Sequence, residues 1–351
     1  MKTLAILFGG KSAEHEVSVR SARNVLAALD QTKYTVVLIG IGQSGRWQLV
    51  DTDYLSSHDQ VGDDQPAIAF LPGGQGQLIG ATSLLPKIDV VLPILHGPFG
   101  EDGTTQGILR AALVPFVGAG VLGSAIGMDK VIMKQVLHDS GLPVGDFLMI
   151  RAATPIDYDT VVAKLGTPFF VKPANLGSSV GVNKVHNATK YSQCLKEAFR
   201  FDRKVIVEQT IVGRELECAV LGNDEATASS VGEVIPREEF YSYSAKYLNK
   251  DGAALVIPAQ LDDAVVSKIQ QLAVATFHAL DCAGLARVDF FLQEDGTPLI
   301  NEINTLPGFT SISMYPKLWA EVGISYSELI DRLINFAVER FRQETKLQTT
   351  V

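Results

Sequence analysis

Arg287-Val288-Asp289-Phe290-Phe291-Leu292-Gln293-Glu294-Asp295-Gly296-Thr297-Pro298-Leu299-Ile300-Asn301-Glu302-Ile303-Asn304 reads as a β-hairpin, because two apolar runs, both carrying acids, flank an Asp-Gly turn signal. With Asp295 and Gly296 as the turn residues, pairing at a constant index sum sets Asp289 opposite Glu302 and Arg287 opposite Asn304, all on one face. Opposed carboxylates repel. A divalent cation between them relieves that repulsion, and Asp, Glu and an Asn carbonyl are the hard oxygen ligands that Mg²⁺ prefers. The hairpin therefore proposes a magnesium site at Asp289, Glu302 and Asn304. A solvated face with chance acids is the bland alternative, and a one-residue slip in register would undo the pairing.

At 351 residues the chain exceeds what one hydrophobic core usually serves, so two or three domains are expected. A net charge of −9 argues against a nucleic acid or a membrane surface as main partner and leaves small molecules, with a local basic pocket for a phosphorylated ligand still compatible. Cys194, Cys218 and Cys282 are odd in number, far apart and without metal-ligand spacing; they read as small buried hydrophobes in a reducing cytoplasm and receive no chemistry. The opening run from Lys2 to Phe8 is too short for a signal peptide, and no run of about 18 apolar residues occurs, so a cytosolic chain is expected.

Upstream of the hairpin, Leu4 to Phe8 reads as a strand ending in Gly9-Gly10, followed by a helical stripe of Ala22, Val25, Leu26 and Leu29. Tyr34 to Ile39 and Asp89 to Leu92 read as further strands of an open α/β layer whose strand-end loops carry function, and Gly73 to Gly76 as surface loop. Gly10-Lys11-Ser12 imitates the end of a P-loop, but the first glycine of that motif would fall on Ala5, so a Walker site is rejected. A second unit opens near Met128-Asp129-Lys130, after which Gly141-Leu142-Pro143 stops a helix. There the strands Phe169 to Pro173 and Val205 to Glu208 flank the loop Asn175-Leu-Gly177-Ser178-Ser179-Val-Gly181, whose amides and hydroxyls suit phosphate oxygens, with Lys130 and Lys172 as compensating cations. Such a loop alone is more often an ordinary turn; its conjunction with the acidic hairpin gives it meaning. Glu238 to Gly252, aromatic and charged with weak periodicity, reads as a long loop of the lid kind. Ser325-Tyr-Ser-Glu328 reads as a capping box opening a helix with the core stripe Tyr326, Leu329, Ile330, Leu333, Ile334, Ala337, Val338 and Phe341, and Gln343 to Val351 as a fraying tail.

Five ordered motifs stand out: His96-Gly-Pro-Phe-Gly100-Glu101-Asp102-Gly103-Thr-Thr-Gln106-Gly107, Met128-Asp-Lys130, Lys172-Pro-Ala-Asn-Leu-Gly-Ser178-Ser179-Val-Gly181, Tyr241-Ser-Tyr243-Ser-Ala-Lys246-Tyr247, and Arg287-Val-Asp289 with Asn301-Glu-Ile-Asn-Thr-Leu-Pro-Gly308. Together they resemble the ATP-grasp carboxylate-amine ligases, and among these the D-alanine-D-alanine ligases, over nearly the whole chain. The resemblance implies a three-domain α/β ATP-grasp architecture, α+β in its ATP-binding part. Residues 1–127 would form an N-terminal open α/β domain with the first-substrate site, 128–213 a central domain with the Gly/Ser loop, and 214–351 a C-terminal domain with the metal site and a mobile loop near 238–252.

The implied reaction joins two D-alanines for peptidoglycan precursors: one carboxylate attacks the γ-phosphate of ATP, and the second amine displaces phosphate from the acyl phosphate. Two Mg²⁺, or Mn²⁺ in their place, would be held by Asp289, Glu302 and Asn304, with Lys130, Lys172 and the Ser179 loop on the phosphates. Glu208, Gln209 and Ile211 would hold adenine and Glu215 the ribose. Arg287 and the backbone N–H of Gly308 would stabilise the oxyanion of the amide-forming step, a role compatible with a structural ion pair between Arg287 and Glu302. Glu14 would pair with the first D-alanine's ammonium and join Ser178 and Tyr247 in a hydrogen-bonded triad; from sequence alone it is equally a helix N-terminal acid. His96 would contact the first substrate's carboxylate or its acyl phosphate, Ser313 and Met314 the second D-alanine's carboxylate, and Lys246 the transferred phosphoryl group under a closed lid that excludes water. Tyr243-Ser-Ala-Lys-Tyr247 keeps the pattern tied to an amine nucleophile, although Ser244 stands where an acid is common.

A D-alanyl-D-lactate or D-alanyl-D-serine ligase is the alternative within the family, and a non-catalytic ATP-binding protein the alternative of another class. The joint presence of the metal ligands, Arg287 and the set Glu14, Ser178 and Tyr247 argues against the latter. A homodimer is also implied, and a monovalent cation is compatible with the resemblance.

Overall fold

The computed structural model describes residues 1–80, 84–236, 253–310 and 313–348; the expected lid at 238–252, with Lys246 and Tyr247, lies outside them. The first layer grows from β1 (Lys2–Gly9), buried from Leu4 to Phe8. Through α1 (His15–Ala28) the chain returns as β2 (Tyr34–Ile41), parallel to β1, and β3 (Trp47–Val50) adds antiparallel. Past α2 (Thr52–Ser57), the Gly73 to Gly76 turn joins β4 (Ile68–Phe70) to β5 (Gln77–Gly80) in a small antiparallel sheet with β6 (Leu84–Lys87). β7 (Val90–Ile94) then runs parallel to β1, giving the order β3-β2-β1-β7. Gly9 has a φ of +89°, and a Cβ there would come within 2.3 Å of the Ile41 carbonyl oxygen, so the chain leaves the sheet here only as glycine. The carboxyl ends of β1 and β7 lie side by side, where open α/β sheets bind ligands.

α3 (Thr104–Ala111), α4 (Val121–Met128) and α5 (Lys130–Asp139) follow. Asp129 breaks the last two apart: in extended conformation, its carboxylate accepts from the N–H groups of Val131 and Ile132 at 3.2 Å and caps α5. Next come β8 (Phe147–Arg151), α6 (Tyr158–Leu165), β9 (Phe169–Pro173), β10 (Asn183–Val185), α7 (Ala188–Ala198) and β11 (Lys204–Gln209). Their antiparallel sheet, ordered β10-β9-β11-β8, has its own core around Phe169, Val171, Val205 and Val207.

The last sheet, β14-β13-β12-β15-β16, is built from β12 (Arg214–Gly222), β13 (Thr227–Pro236), β14 (Ala253–Val256), β15 (Gly284–Leu292) and β16 (Pro298–Asn304), with α8 (Asp263–Ala279) packed on it. α9 (Met314–Glu321) and α10 (Tyr326–Glu344) close the chain. α10 buries Leu329, Ile330, Leu333, Ile334 and Ala337 as its stripe requires, in one core with Leu4, Ile6 and Phe8 of β1. Half of the expected capping box forms: Ser325 Oγ accepts from Glu328 N at 3.3 Å, but the Glu328 carboxylate turns to Arg332. The helix also runs to Glu344, into the tail expected to fray.

The hairpin pairs Asp289 with Glu302 and Arg287 with Asn304, as expected. The turn does not have two residues. Gln293 N donates to Thr297 O and Gly296 N to Gln293 O, both at 3.0 Å, so Glu294, Asp295 and Gly296 form a three-residue loop with Gly296 left-handed at φ +82°. That loop alone would set Asp289 opposite Asn301. The register shifts between Asp289 and Phe290, where Phe290 pairs with Ile300, so Asn301 is an extra residue in β16. This bulge returns Glu302 to the face of Asp289 and keeps both Ile300 and Ile303 buried.

Candidate active site

Loops after β1 and β7 meet the Gly/Ser loop after β9. Glu14, at the N-cap position of α1, is buried, and its Oε2 lies 3.3 Å from where a Cβ would sit on Gly97 and 3.4 Å from where one would sit on Gly177. The two glycines let main chain from both loops close on one carboxylate, bringing Glu14 and the Ser178 segment together; their expected partner Tyr247 is outside the described residues. Ser178 and Ser179 have φ of +54° and +58°, and Gly181 of +70°. Consecutive non-glycine residues in that region are rare, and turns of this kind gather N–H groups into an anion-binding concavity.

His96 Nδ1 lies 3.1 Å from the Leu306 carbonyl oxygen, to which it donates; Nε2 is buried without a hydrogen-bond partner among the described residues. Burial holds the ring's pKa below the ordinary value, against the pull of Glu14. A neutral ring in this tautomer accepts at Nε2, so holding a carboxylate there requires uptake of a proton. Glu101 belongs to the same motif but was given no role from sequence. Gly97 N donates to its Oε1 at 2.8 Å, while burial, then the Glu14 charge, pushes its carboxyl up to about 8.

Lys130 opens α5 and ties the Gly/Ser loop to the hairpin: its Nζ donates to Leu176 O at 2.9 Å and lies 3.5 Å from Glu302 Oε2. Lys172 Nζ on β9 is 2.6 Å from Glu208 Oε2 on β11, and Glu208 Oε1 is 2.9 Å from Lys134 Nζ. Burial alone would raise the Glu208 pKa, yet the two lysines outweigh it and hold the carboxyl far below the usual range. Sequence reasoning missed Lys134, which reads as one more solvated helix lysine. Past β11, Gln209 Nε2 and Ile211 Cδ1 both reach the side of Gly145, at 3.3 and 2.7 Å from its notional Cβ. Glu215, half-buried on β12, adds its charge to the field on Lys172, so the expected adenine, ribose and phosphate groups lie along one seam between the second and third sheets.

Across β12, β15 and β16, Glu217, Asp289 and Glu302 occupy successive paired positions. Arg287 serves the first two, with Nε 2.9 Å from Glu217 Oε2 and 2.7 Å from Asp289 Oδ1, and Nη2 2.8 Å from Asp289 Oδ2. Its bonded acids are thus Asp289 and the unforeseen Glu217, with Glu302 acting through charge at longer range. Asn304 Nδ2 donates to Asp289 Oδ2 at 3.1 Å; a flip of that amide turns Oδ1 to the same spot. No three His, Cys, Asp or Glu side chains converge as metal ligands among the described residues. The donor set is instead two carboxylates and an amide. It fits a hard divalent cation in its oxygen donors, with Asp289 and Glu302 opposed in register; in this structure Arg287 and Lys130 stand beside those two carboxylates.

Beyond the hairpin, a Cβ on Gly308 would lie 2.9 Å from Ser313 Oγ, so these two expected residues meet. Ser313 Oγ accepts from Thr310 N at 3.0 Å, and the Met314 side chain is buried in the core, leaving its backbone N–H in the first turn of α9 as what it can offer a carboxylate. A cleft of about 410 Å³ lined by Asp102, Asp129, Arg151, Arg203 and Lys204 contains none of the expected site residues.

Residues 3–119 match the family described as D-ala D-ala ligase N-terminus, and residues 136–335 the family described as D-ala D-ala ligase C-terminus. The D-alanine--D-alanine ligase of Oceanobacillus iheyensis is 50% identical over 364 aligned residues, covering 99% of this chain and 98% of that protein. The D-alanine-D-alanine ligase of Coxiella burnetii superimposes with a TM-score of 0.89 at 37% identity, over 98% of this chain and 96% of that one. VanG D-Ala:D-Ser ligase of Enterococcus faecalis superimposes with a TM-score of 0.87 at 34% identity, over 96% of this chain and 99% of that one. The fold is therefore common to relatives named for different second substrates.

Proposed function

The chain belongs to the D-alanine-D-alanine ligase family, and on that premise we propose that it joins two D-alanines into D-alanyl-D-alanine, with ATP converted to ADP and phosphate, for peptidoglycan precursors. The observation that carries this reading is the convergence of loops from all three main sheets: Glu14 between Gly97 and Gly177, and Lys130 between Leu176 and Glu302. One D-alanine carboxylate oxygen attacks the γ-phosphorus and the bond to ADP breaks. The second D-alanine's amine then attacks the acyl carbon, and phosphate leaves.

Glu14 holds the first ammonium, joined by Ser178 and Tyr247, and His96 faces that substrate's carboxylate or acyl phosphate. Lys130, Lys172 and the Ser179 loop bind phosphates, Lys246 the transferred group, Glu208, Gln209 and Ile211 adenine, and Glu215 ribose. Arg287 and the Gly308 N–H face the oxyanion, and Ser313 with the Met314 N–H the second carboxylate. Asp289, Glu302 and Asn304 would hold Mg²⁺, which neutralises charge on the transferring phosphate. Modules 1–127, 128–213 and 214–351 divide the work, a division supported by the sheet boundaries. The use of ATP supports a cytoplasmic site of action, and a homodimer completes the reading.

The test is purified protein with ATP, Mg²⁺ and D-alanine, measuring phosphate and dipeptide, then D-serine or D-lactate in competition. D-alanine-dependent phosphate with dipeptide as product is expected. No D-alanine-dependent phosphate release sinks the proposal, and preferential incorporation of D-serine or D-lactate reassigns the second substrate.

A further inference from the structure

Lys134 sits one turn after Lys130 on α5, with 2% of its side chain exposed. A lysine so deeply buried needs a partner, and it has one oxygen of Glu208, at 2.9 Å from Oε1. The other oxygen belongs to Lys172, at 2.6 Å from Oε2. Two ammonium groups and one carboxylate leave this buried trio one positive charge in excess, and such a surplus is costly where water is excluded. Glu302 and Glu215 add their charges to the field on Lys172 and offset part of the excess, with Glu302 also sharing its charge with Lys130 at 3.5 Å; it is Glu208 that bridges the two lysines at contact distance.

The surplus has a use if an anion arrives beside Lys172. We infer that Lys134 is a positioning residue for the nucleotide: by occupying half of Glu208 it keeps that carboxylate from neutralising Lys172 completely, so that Lys172 can still serve a phosphate of ATP. The inference rests on ATP being the substrate, as proposed above. Without Lys134, Glu208 and Lys172 would form a one-to-one pair, the positive charge of the trio would fall by one, and Lys172 would be drawn more fully to Glu208 in competition with a phosphate. The competing account is a tie between α5 and β11 with no bearing on nucleotide.

The two accounts separate in Lys134→Met, with Lys134→Gln as a second neutral variant should the first not fold. Binding of Mg²⁺ with ADP is measured by calorimetry on the folded protein, alongside KM for ATP and for D-alanine. The inference expects nucleotide binding weakened roughly tenfold, the scale of one charge-assisted contact, with KM for D-alanine changed by less than about twofold. Lys134→Arg, which restores the charge, recovers most of the loss. Unchanged nucleotide affinity in either neutral variant, with only a lowered melting temperature, overturns the inference and leaves the structural tie. If the wild-type protein itself binds no nucleotide, the ATP reading falls with it, so the two failures are told apart.

Discussion

A carboxyl that keeps its proton near neutrality gives the folded chain a pH dependence opposite in sign to that of most acids. At Glu101, burial and then the Glu14 charge push the pKa from 4.5 up to about 8, so between those values the folded chain holds a proton that the unfolded chain has released. Stability from this group is therefore fully present below about 4.5 and is lost as pH rises through about 8, by at most about 1.4 kcal/mol per pH unit. Thermal melts from pH 5.5 to 8.5 should fall more steeply for the wild type than for Glu101→Gln, which has nothing to titrate; parallel curves would refute the assignment. Glu302 lies 3.5 Å from Lys130 and stands opposite Asp289 in the hairpin. Glu302→Gln keeps the shape while removing one of the carboxylates proposed to hold Mg²⁺. Phosphate release should drop by at least about a hundredfold with the melting temperature little changed. Retained turnover would take Glu302 out of the metal site.

At the scale of elements, the hairpin shows both the reach of the sequence and its limit. The acid pairing was legible from the Asp-Gly signal, but it holds because two departures from a two-residue hairpin cancel: a loop one residue longer, and a bulge at Asn301. The bulge left a trace. Ile300 and Ile303 are both buried while Glu302 and Asn304 share the opposite face, and an odd spacing between two inward residues cannot be met by strict alternation. Lys134 and Glu217 left no such trace, because each acquires meaning only from a partner distant in sequence, Glu208 or Arg287. The Gly/Ser loop is legible between its strands, whereas Glu14 and His96 are singled out only by the family resemblance; what closes Glu14 on Gly97 and Gly177 is three-dimensional. Met128-Asp129-Lys130 reads as the opening of a second unit, and the structure breaks α4 from α5 there; Asp129 also pairs with the buried Lys204, which sequence did not reveal. Asp129→Ala loses the cap and strands that ammonium, so it should cost about 3 kcal/mol in urea unfolding. Asp129→Asn, which keeps capping ability, should cost less; equal losses would mean that the cap contributes nothing.

Over the whole molecule, the cores do not follow the order of the chain. The middle sheet has its own core, whereas β1 and β7 share one with α9, α10 and parts of β12 and β15, so the first and last thirds form one support on which Glu14, His96, Arg287 and Gly308 are fixed. Arg340 of α10 fastens that union. Its guanidinium stacks 4.7 Å from the centre of the Phe116 ring, and it donates to the carbonyl oxygens of Gly118 and Phe116, two bonds that a lysine could not make in the same plane. Gly118, at φ +98°, lies so close to Leu306 that a Cβ would come within 2.8 Å of Leu306 Cδ2, and the Leu306 carbonyl oxygen receives His96 Nδ1–H at 3.1 Å. Loosening residues 116–118 should therefore reach His96 through a single intervening residue, whereas the groups on β9, β11 and β16 proposed to serve the nucleotide are not on that path. Arg340→Ala should lower stability by about 3–6 kcal/mol, the weight of two hydrogen bonds from a charged donor. It should raise KM for D-alanine severalfold while leaving ADP affinity within about twofold, because the loss is transmitted to the support of one substrate only. Steady-state kinetics in D-alanine, paired with calorimetry of ADP, decides the matter: a matching loss for both ligands would mean that Arg340 stabilises the molecule at large, with no preferential line to the D-alanine site.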